Sequence, residues 1–416
     1  MGESSFLNAA RPAGKPLQRP LRLQIDIPLL LIVLMLLVFG LLMVYSASWD
    51  FSRSMDQPPT YIFFRQLRWA LLGVVAAAVL TWFDYHRLRK LLVPMMFATM
   101  VLLIAVLWIN DVRLGAARSI FGGSIQPSEL AKVATIIYLS FWLASRQDQL
   151  NNISFGLIPM GAILGFMGGL VLLQPDLSAA ATVFIMGGIL FFLAGGEWRQ
   201  IIFVFVAALV AGFIVVKVSA TGNARLTSYL EGLRDPIQAS YHVRRSLEAV
   251  VKGGWFGVGI GQAETKFTGL PVAPTDSIFA VIAEETGLFG AGITVLLYAL
   301  LMWRGLTIAR RAPDQLGSLL ASGLTLWLTL EAIINTAVIV GLVPFAGNAL
   351  PFISAGGSNM VASLCAIGLI MSVARRTGER EKKERRKFSA VVDLRGRDGG
   401  RRVPRSRRSS SPTGQG

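Results

Sequence analysis

Runs of apolar residues, each about 20 positions long and nearly free of charge, recur between residues 27 and 374 with short polar connections between them. A helix needs about 20 residues to cross about 30 Å of hydrocarbon. The pattern therefore predicts ten spanning helices, near 27–47, 66–83, 92–110, 128–145, 154–173, 177–195, 200–218, 278–303, 316–343 and 358–374. The runs between 154 and 218 are crowded, which leaves nine or eleven spans open. The expected fold class is an all-α integral membrane protein. One connection is much longer than the rest, 219–276 between the seventh and eighth spans, and long connections in compact folds usually bind or catalyse.

That connection holds "NARLTSYLEGLRDP", then "SYHVRRSLEAVV", then "KGGWFGVGIGQ". In the middle piece Val243, Leu247, Val250 and Val251 share a helical face, as in a helix lying on a membrane surface; a structural helix with a solvated charged face is the plainer alternative. The glycines do not form a dinucleotide fingerprint, because no strand precedes them and no acid follows at the spacing of a βαβ unit. They are expected to allow tight turns and close backbone approach.

Composition agrees with the membrane setting: 53% of the 416 residues are hydrophobic, only 15% are charged, and the mean hydropathy is +0.58. The net charge of +16 is concentrated in flanks that positive loops would keep cytoplasmic. These are Arg11, Lys15, Arg19 and Arg22, "DYHRLRK" at 84–90, Arg304, Arg310 and Arg311, and the tail after 375. Both termini are thus expected in the cytoplasm and the long loop outside. Three segments follow: 1–26, the membrane domain 27–374, and a basic tail 375–416 expected to be unstructured. The basic flanks suit anionic lipid headgroups better than nucleic acid, since no interleaved aromatics or folded module present them. No cleavable signal peptide is expected. Cys365 is the single cysteine, and His86 and His242 are the two histidines, so neither a disulfide nor a zinc cluster is expected.

Candidate chemistry starts at Asp276 in "LPVAPTDSIFAVIAEETGLFGAG", a carboxylate directly before an apolar run. It suits a helix N-cap and a general base equally. Glu129, Asp176, Glu284 and Glu285 also lie at span edges or at membrane depth, where an ionised group is costly and has a role or a partner. Gln126, Pro127, Ser128 and Glu129 read as a helix start or as part of a cavity lining.

Eight ordered blocks carry a family resemblance: "VYSAS" at 44–48, "RQLRW" at 65–69, "DYHRLRK" at 84–90, "GAARSIFGGSIQPSELAK" at 115–132, "QPDLS" at 174–178, "YHVRRSLEAVVKGGWFGVGIGQ" at 241–262, the Asp276 stretch, and "GLVPFAGNALPFISAGGSN" at 341–359. The chain resembles the SEDS family of bacterial cell-wall polymerases, the FtsW and RodA proteins, and leans toward the FtsW-like branch through "LMVYSAS" and its long basic tails. The resemblance implies ten spans and a peptidoglycan glycosyltransferase that polymerises lipid II, as donor and acceptor, in cell division or elongation at the plasma membrane. It implies catalysis by Asp276. It also implies a class B penicillin-binding protein and other division or elongation proteins as partners, with no nucleic acid involved.

The implied leaving group is a pyrophosphate, for which a planar guanidinium or an ammonium is a fitting partner. Arg118 and Lys132 match family blocks, followed by Arg245, with Lys252 and Lys266 also in the long loop. Each has an alternative as partner to a nearby acid such as Glu248 or Asp235. Asn335, Ser354, Gly356, Gly357 and Ser358 are expected to line the same cavity with Gln126, Ser128 and Glu129. A divalent Mg²⁺ or Mn²⁺ would bridge pyrophosphate oxygens, although no dedicated carboxylate cage for a metal is visible. The chain departs from the family pattern at Pro274, Ser277, Ser119 and Ala355. The rival readings are a lipid II flippase, which would want its essential acid buried mid-span, and a non-catalytic division scaffold.

Overall fold

The computed structural model describes residues 25–109, 112–113, 116–117, 126–150, 152–235 and 238–397. Within them the helices run in the order α1 (Ile27–Arg53), α2 (Tyr61–Trp82), α3 (Leu92–Ile109), α4 (Pro127–Ala144), α5 (Ile158–Leu173), α6 (Leu177–Leu193), α7 (Trp198–Val218), α8 (Ala220–Arg234), α9 (Tyr241–Gly253), α10 (Ile278–Arg310), α11 (Gln315–Ile339) and α12 (Gly357–Arg397). Among the described residues the only paired strands are Val112–Arg113 and Ala116–Ala117, a two-residue antiparallel ribbon. Each predicted apolar run coincides with a helix. Among the described residues seven helices are long and apolar enough to cross a membrane, and Leu92–Trp108 and Leu177–Leu193 are shorter apolar helices.

Local signals explain several helix starts. Asp26 accepts from Leu29 N (3.1 Å) ahead of Pro28 at the start of α1. Asp176 caps α6 through Ala179 N (3.2 Å), and Asp314 caps α11 through Gly317 N (2.6 Å). A carboxylate at these positions satisfies amides that have no partner within the helix and meets the positive end of its dipole.

One expectation is corrected, and α9 adds a contact that the sequence did not show. The tail expected to be unstructured from 375 continues α12 as helix to Arg397. The segment is rich in Arg, Lys and Glu, which favour helix, and Arg375 pairs with Glu379 one turn on (3.0 Å). In α9 the buried positions are Ser246, Ala249 and Gly253, whereas Val251 is 79% exposed. Small residues rather than the large apolar ones bring this helix close to its neighbour: a Cβ on Gly253 would collide with the Ala283 carbonyl of α10.

Side-chain hydrogen bonds gather the helix ends into two sets. At one end Arg304 grips Asp26 (2.9 and 2.7 Å), Tyr85 donates to Asp314 (2.8 Å), and Ser372 donates to the Phe83 carbonyl. The other end carries Asp276 and is described below. Between them α11 and α12 form the centre, with 72% and 83% of their apolar windows buried, against 0% for α7. A helix apolar on every side with so little protein around it is one that lipid must cover.

Candidate functional site

The Asp276 end is built from a broken helix. Gly287 interrupts α10 at φ 68° and ψ −173°, a conformation only glycine adopts without strain. The break frees backbone groups in a region where unpaired ones are costly, and the glycine-rich segment after α9 takes them up. Val258 N donates to the Glu284 carbonyl (3.0 Å) and Gly259 N to Glu285 (3.1 Å), while Leu288 N donates to the Gly254 carbonyl (2.9 Å) and Phe289 N to Trp255 (3.1 Å). Positive φ at Gly257 (79°), Gly259 (108°) and Gly261 (88°) lets the segment follow this path. The glycines thus serve close approach to a neighbouring helix, as the sequence predicts.

Two buried acids of α10 pin the chain that follows. Glu284 accepts from Glu264 N (2.9 Å), Thr265 N (3.2 Å) and the Thr265 hydroxyl. Glu285 accepts from Lys266 Nζ (2.7 Å) and Ser46 Oγ (2.5 Å), and Lys266 also donates to Ser46 Oγ and the Gly261 carbonyl (2.9 Å each). Lys266 and Glu285 side chains are 2% and 0% exposed.

The pinned chain delivers Asp276. Ser277, not Asp276, occupies the N-cap position of α10, which has no side-chain cap hydrogen bond; the Ser277 hydroxyl instead donates to the Pro271 carbonyl (2.8 Å). Three successive carbonyls are held by donors from other elements. Ala355 N donates to Pro274 (2.8 Å), Ser354 Oγ to Thr275 (2.7 Å), and Asn335 Nδ2 to Asp276 (3.0 Å) and also to Asn348 (2.6 Å). The Asp276 carboxylate lies beside Gly347, where a Cβ would come within 2.8 Å of Oδ2.

Two further polar clusters adjoin through the start of α12. In the first, Gln126 N donates to Ser358 Oγ (3.0 Å), and Gln126 Nε2 (2.9 Å) and Ser128 Oγ (3.0 Å) both donate to Asp176 Oδ2. In the second, Lys132 is paired with Glu129 (2.9 Å) and with Glu331. Trp327 Nε1 donates to Glu331 (2.8 Å), and Asn359 Nδ2 donates to Glu129 (3.0 Å) and Glu331 (3.4 Å). On α9, Arg245 pairs with Glu248 (2.5 Å), and Lys252 reaches Glu248 and Glu264 (3.3 Å each). The Arg245 hydrogen bond outweighs partial desolvation and, with Lys252, holds the Glu248 carboxyl below its usual range. His242, stacked on Phe345 at 4.2 Å, is shifted below the usual histidine value by burial and by Arg225.

The structure therefore brings Ser354 to the Asp276 loop, joins Gln126 and Ser128 through Asp176 and Ser358 through Gln126, and gives Glu129, Lys132, Arg245, Lys252 and Lys266 carboxylate or ammonium partners within the protein. Gly356 N donates to Gln66, which in turn donates to the Ser354 carbonyl, and Gly357 opens α12. Arg118 and Ser119 lie outside the described residues. Among the described residues no group of three or more His, Cys, Asp or Glu side chains is placed to hold a metal ion.

These features meet known proteins along nearly the whole bundle. The family described as cell cycle protein, FtsW/RodA/SpoVE, matches residues 27–379. The chain belongs to this family. It is 36% identical over 355 residues to the probable peptidoglycan glycosyltransferase FtsW of Geobacter sp. (strain M18), covering 84% of this chain and 97% of that protein. It is likewise 36% identical over 356 residues to stage V sporulation protein E of Bacillus subtilis (strain 168), again covering 84% and 97%. Among solved structures, the rod shape determining protein RodA of Thermus thermophilus superposes with a TM-score of 0.63 at 26% identity, covering 86% of this chain and 98% of that one. A chain from a structure described as structural coordination of polymerization and crosslinking by a peptidoglycan synthase complex superposes at 0.69, also at 26% identity, covering 85% and 99%.

Within this FtsW/RodA/SpoVE member, two of the departures from the family pattern face each other. The Pro274 carbonyl and the Ala355 amide form one of the three clamps on the Asp276 loop, and because the bond is backbone to backbone neither side-chain exchange removes it. Sequence reasoning missed Glu331, which shares Lys132 with Glu129, although a lone carboxylate inside the apolar run 316–343 was a visible signal. Gln66, Ser46 and Asn359 carried no comparable signal, because a single neutral polar residue in an apolar run looks the same whether it is a clamp or a bystander.

Proposed function

We propose that this protein is a peptidoglycan glycosyltransferase that polymerises lipid II in the plasma membrane, with Asp276 as general base. The observation that carries the reading is the treatment of Asp276: the cap position belongs to Ser277, while donors from α11 and the 348–356 turn hold the carbonyls of residues 274, 275 and 276. A carboxylate held on a fixed backbone is the arrangement a proton acceptor needs.

In the reaction, Asp276 accepts the proton of the acceptor sugar's 4-hydroxyl as that oxygen attacks the anomeric carbon of the growing strand, and the lipid pyrophosphate departs from the same carbon. A well-placed base contributes about 10²–10⁴-fold to such a step. Arg245 and Lys252, which share the partly exposed Glu248, are the cations best placed to exchange a carboxylate for phosphate oxygens; Arg118 belongs to the same set by its motif. Lys266 and Lys132, buried against Glu285 and against Glu129 and Glu331, hold the architecture. A divalent ion would take its ligands from the pyrophosphate, since no acidic cage is placed among the described residues.

The reading places ten helices across the bilayer, both termini in the cytoplasm, the Asp276 end outside, and a class B penicillin-binding protein as the partner that crosslinks the product. One observation favours a second reading: Lys132, Glu129 and Glu331 form a buried cluster of charges between α4 and α11, a kind of group a flippase uses. Purified protein with lipid II in detergent separates the two, because detergent has no sides. Glycan polymer made there, with the penicillin-binding partner present, supports the polymerase; no polymer under those conditions refutes it.

A further inference from the structure

Gln66 lies in "RQLRW" on α2, 3% exposed, and nothing in the proposed chemistry uses it. Both ends of its amide are engaged on one short turn: Nε2 donates to the Ser354 carbonyl (3.0 Å), and Gly356 N donates to Oε1 (3.1 Å). The residues between these contacts are those that hold the Asp276 loop, since Ser354 Oγ donates to the Thr275 carbonyl (2.7 Å) and Ala355 N to Pro274 (2.8 Å). Ser354 Oγ also accepts from Leu350 N (2.7 Å), so the hydroxyl has a fixed direction.

The turn is also strained. Phe352, fully buried, has φ +67°, a left-handed conformation that a bulky side chain adopts at a cost and keeps only where its surroundings over-determine it. Gly40 of α1 closes on the other side, for a Cβ there would strike the Phe352 carbonyl and Ile353 Cα. A strained turn held between a glycine and a two-point amide clamp, with its next two residues bonded to the backbone before Asp276, is a device for setting position.

We propose that Gln66 is a positioning residue for Asp276, acting from α2 through the Ser354–Gly356 turn. The inference rests on Asp276 being the base. Its chemistry is specific: the turn needs one donor and one acceptor on the same side chain, which a glutamine supplies and a protonated glutamic acid also supplies, but a methionine of similar shape does not.

The test compares Gln66→Met and Gln66→Glu with the wild type and with Asp276→Asn, as full-length protein with its penicillin-binding partner. The readouts are lipid II polymerisation kinetics and amide hydrogen exchange of peptides covering 270–280 and 350–357. Gln66→Met should lower kcat by up to about 10²-fold, the scale of a small misplacement of a catalytic group, with KM unchanged and with faster exchange in those two peptides. Gln66→Glu should recover turnover relative to wild type at the same pH, either throughout or increasingly as the pH falls from about 8 to about 6, because the protonated form restores the missing donor. Unchanged kcat in Gln66→Met, a loss without faster exchange in 270–280, or a Gln66→Glu variant as poor as Gln66→Met at every pH would each overturn the inference. If Gln66→Met fails to fold, Gln66→Glu carries the test alone through its turnover relative to wild type against pH: near wild type throughout or rising as the pH falls supports the clamp, and low and flat overturns it. Full activity in Asp276→Asn would instead overturn the base assignment, an outcome separate from all of these.

Discussion

Removing the ammonium of Lys266 should expose how the loop leading to Asp276 is held. Lys266→Met deletes three donations, to Glu285, Ser46 and the Gly261 carbonyl, and leaves the Glu285 carboxylate buried with only the Ser46 hydroxyl against Oε1. Its other oxygen already lacks a hydrogen-bond partner. Breaking one side of a buried pair costs about 3–5 kcal/mol, most of it from the charge left behind, whereas replacing both sides with apolar groups is often close to neutral. The double change Lys266→Met/Glu285→Met should therefore be more stable than Lys266→Met alone. It still falls short of wild type, because the Gly261 carbonyl loses its Lys266 donor and Ser46 loses both its partners, at about 1–3 kcal/mol for each group left unsatisfied. Thermal unfolding in one detergent at fixed protein concentration ranks the three proteins, and proteolysis within 254–276 reports whether the loop has come away. A double variant less stable than Lys266→Met would refute the reasoning, because the two residues would then contribute independently.

Other expectations follow from particular contacts. Gly287→Ala forces a side chain into a glycine-only conformation, at a cost of about 1–3 kcal/mol in strain alone, and drives its Cβ into Gly257 N and the Trp255 carbonyl; a lower thermal midpoint with new cleavage between 254 and 261 is the expected result. Burial, then Arg225, lowers the His242 pKa, so the folded state favours the neutral ring. That contribution is present above about pH 6.5 and is lost as the pH falls through the depressed folded value. Hydrogen exchange in α8 and α9 should accelerate over this window in wild type and lose that dependence in His242→Gln. A reporter fused after Arg311 should be cytoplasmic and one inserted near Thr221 external; the reverse would overturn the orientation drawn from Lys and Arg.

The helical architecture was legible because length and uninterrupted hydrophobicity determine it locally. The run 316–343 emerges as α11 at Gln315–Ile339, and 177–195 as α6 at Leu177–Leu193. The break in α10 was not legible. Gly287 sits within apolar sequence that reads as one helix, and it becomes a break only when another segment supplies the backbone partners, which is a tertiary event. Asp276 stood out because a carboxylate before an apolar run is costly to place without purpose. Its supports did not, since Asn335, Ser354 and Gln66 act through backbone carbonyls and amides that no side-chain pattern reveals. The cations of the 219–276 connection were visible as charges, but that Lys266 faces Glu285 follows only from the fold of the chain between them. The protein-facing side of α9, Ser246, Ala249 and Gly253, was not legible because the pattern of large apolar residues says nothing about where small ones allow contact.

The most direct measurement is glycan synthesis by Asp276→Asn. Purified wild type and variant, each with the penicillin-binding partner, are given lipid II in detergent, and the chains are resolved by gel. Asparagine keeps the size of the side chain and much of its hydrogen bonding but cannot take the acceptor's proton. The variant should therefore fold, insert and bind its partner as wild type does, while chain formation falls by at least the roughly 10²–10⁴-fold that a general base supplies. Chains made by Asp276→Asn at the wild-type rate and length would contradict the assignment of Asp276 as the base.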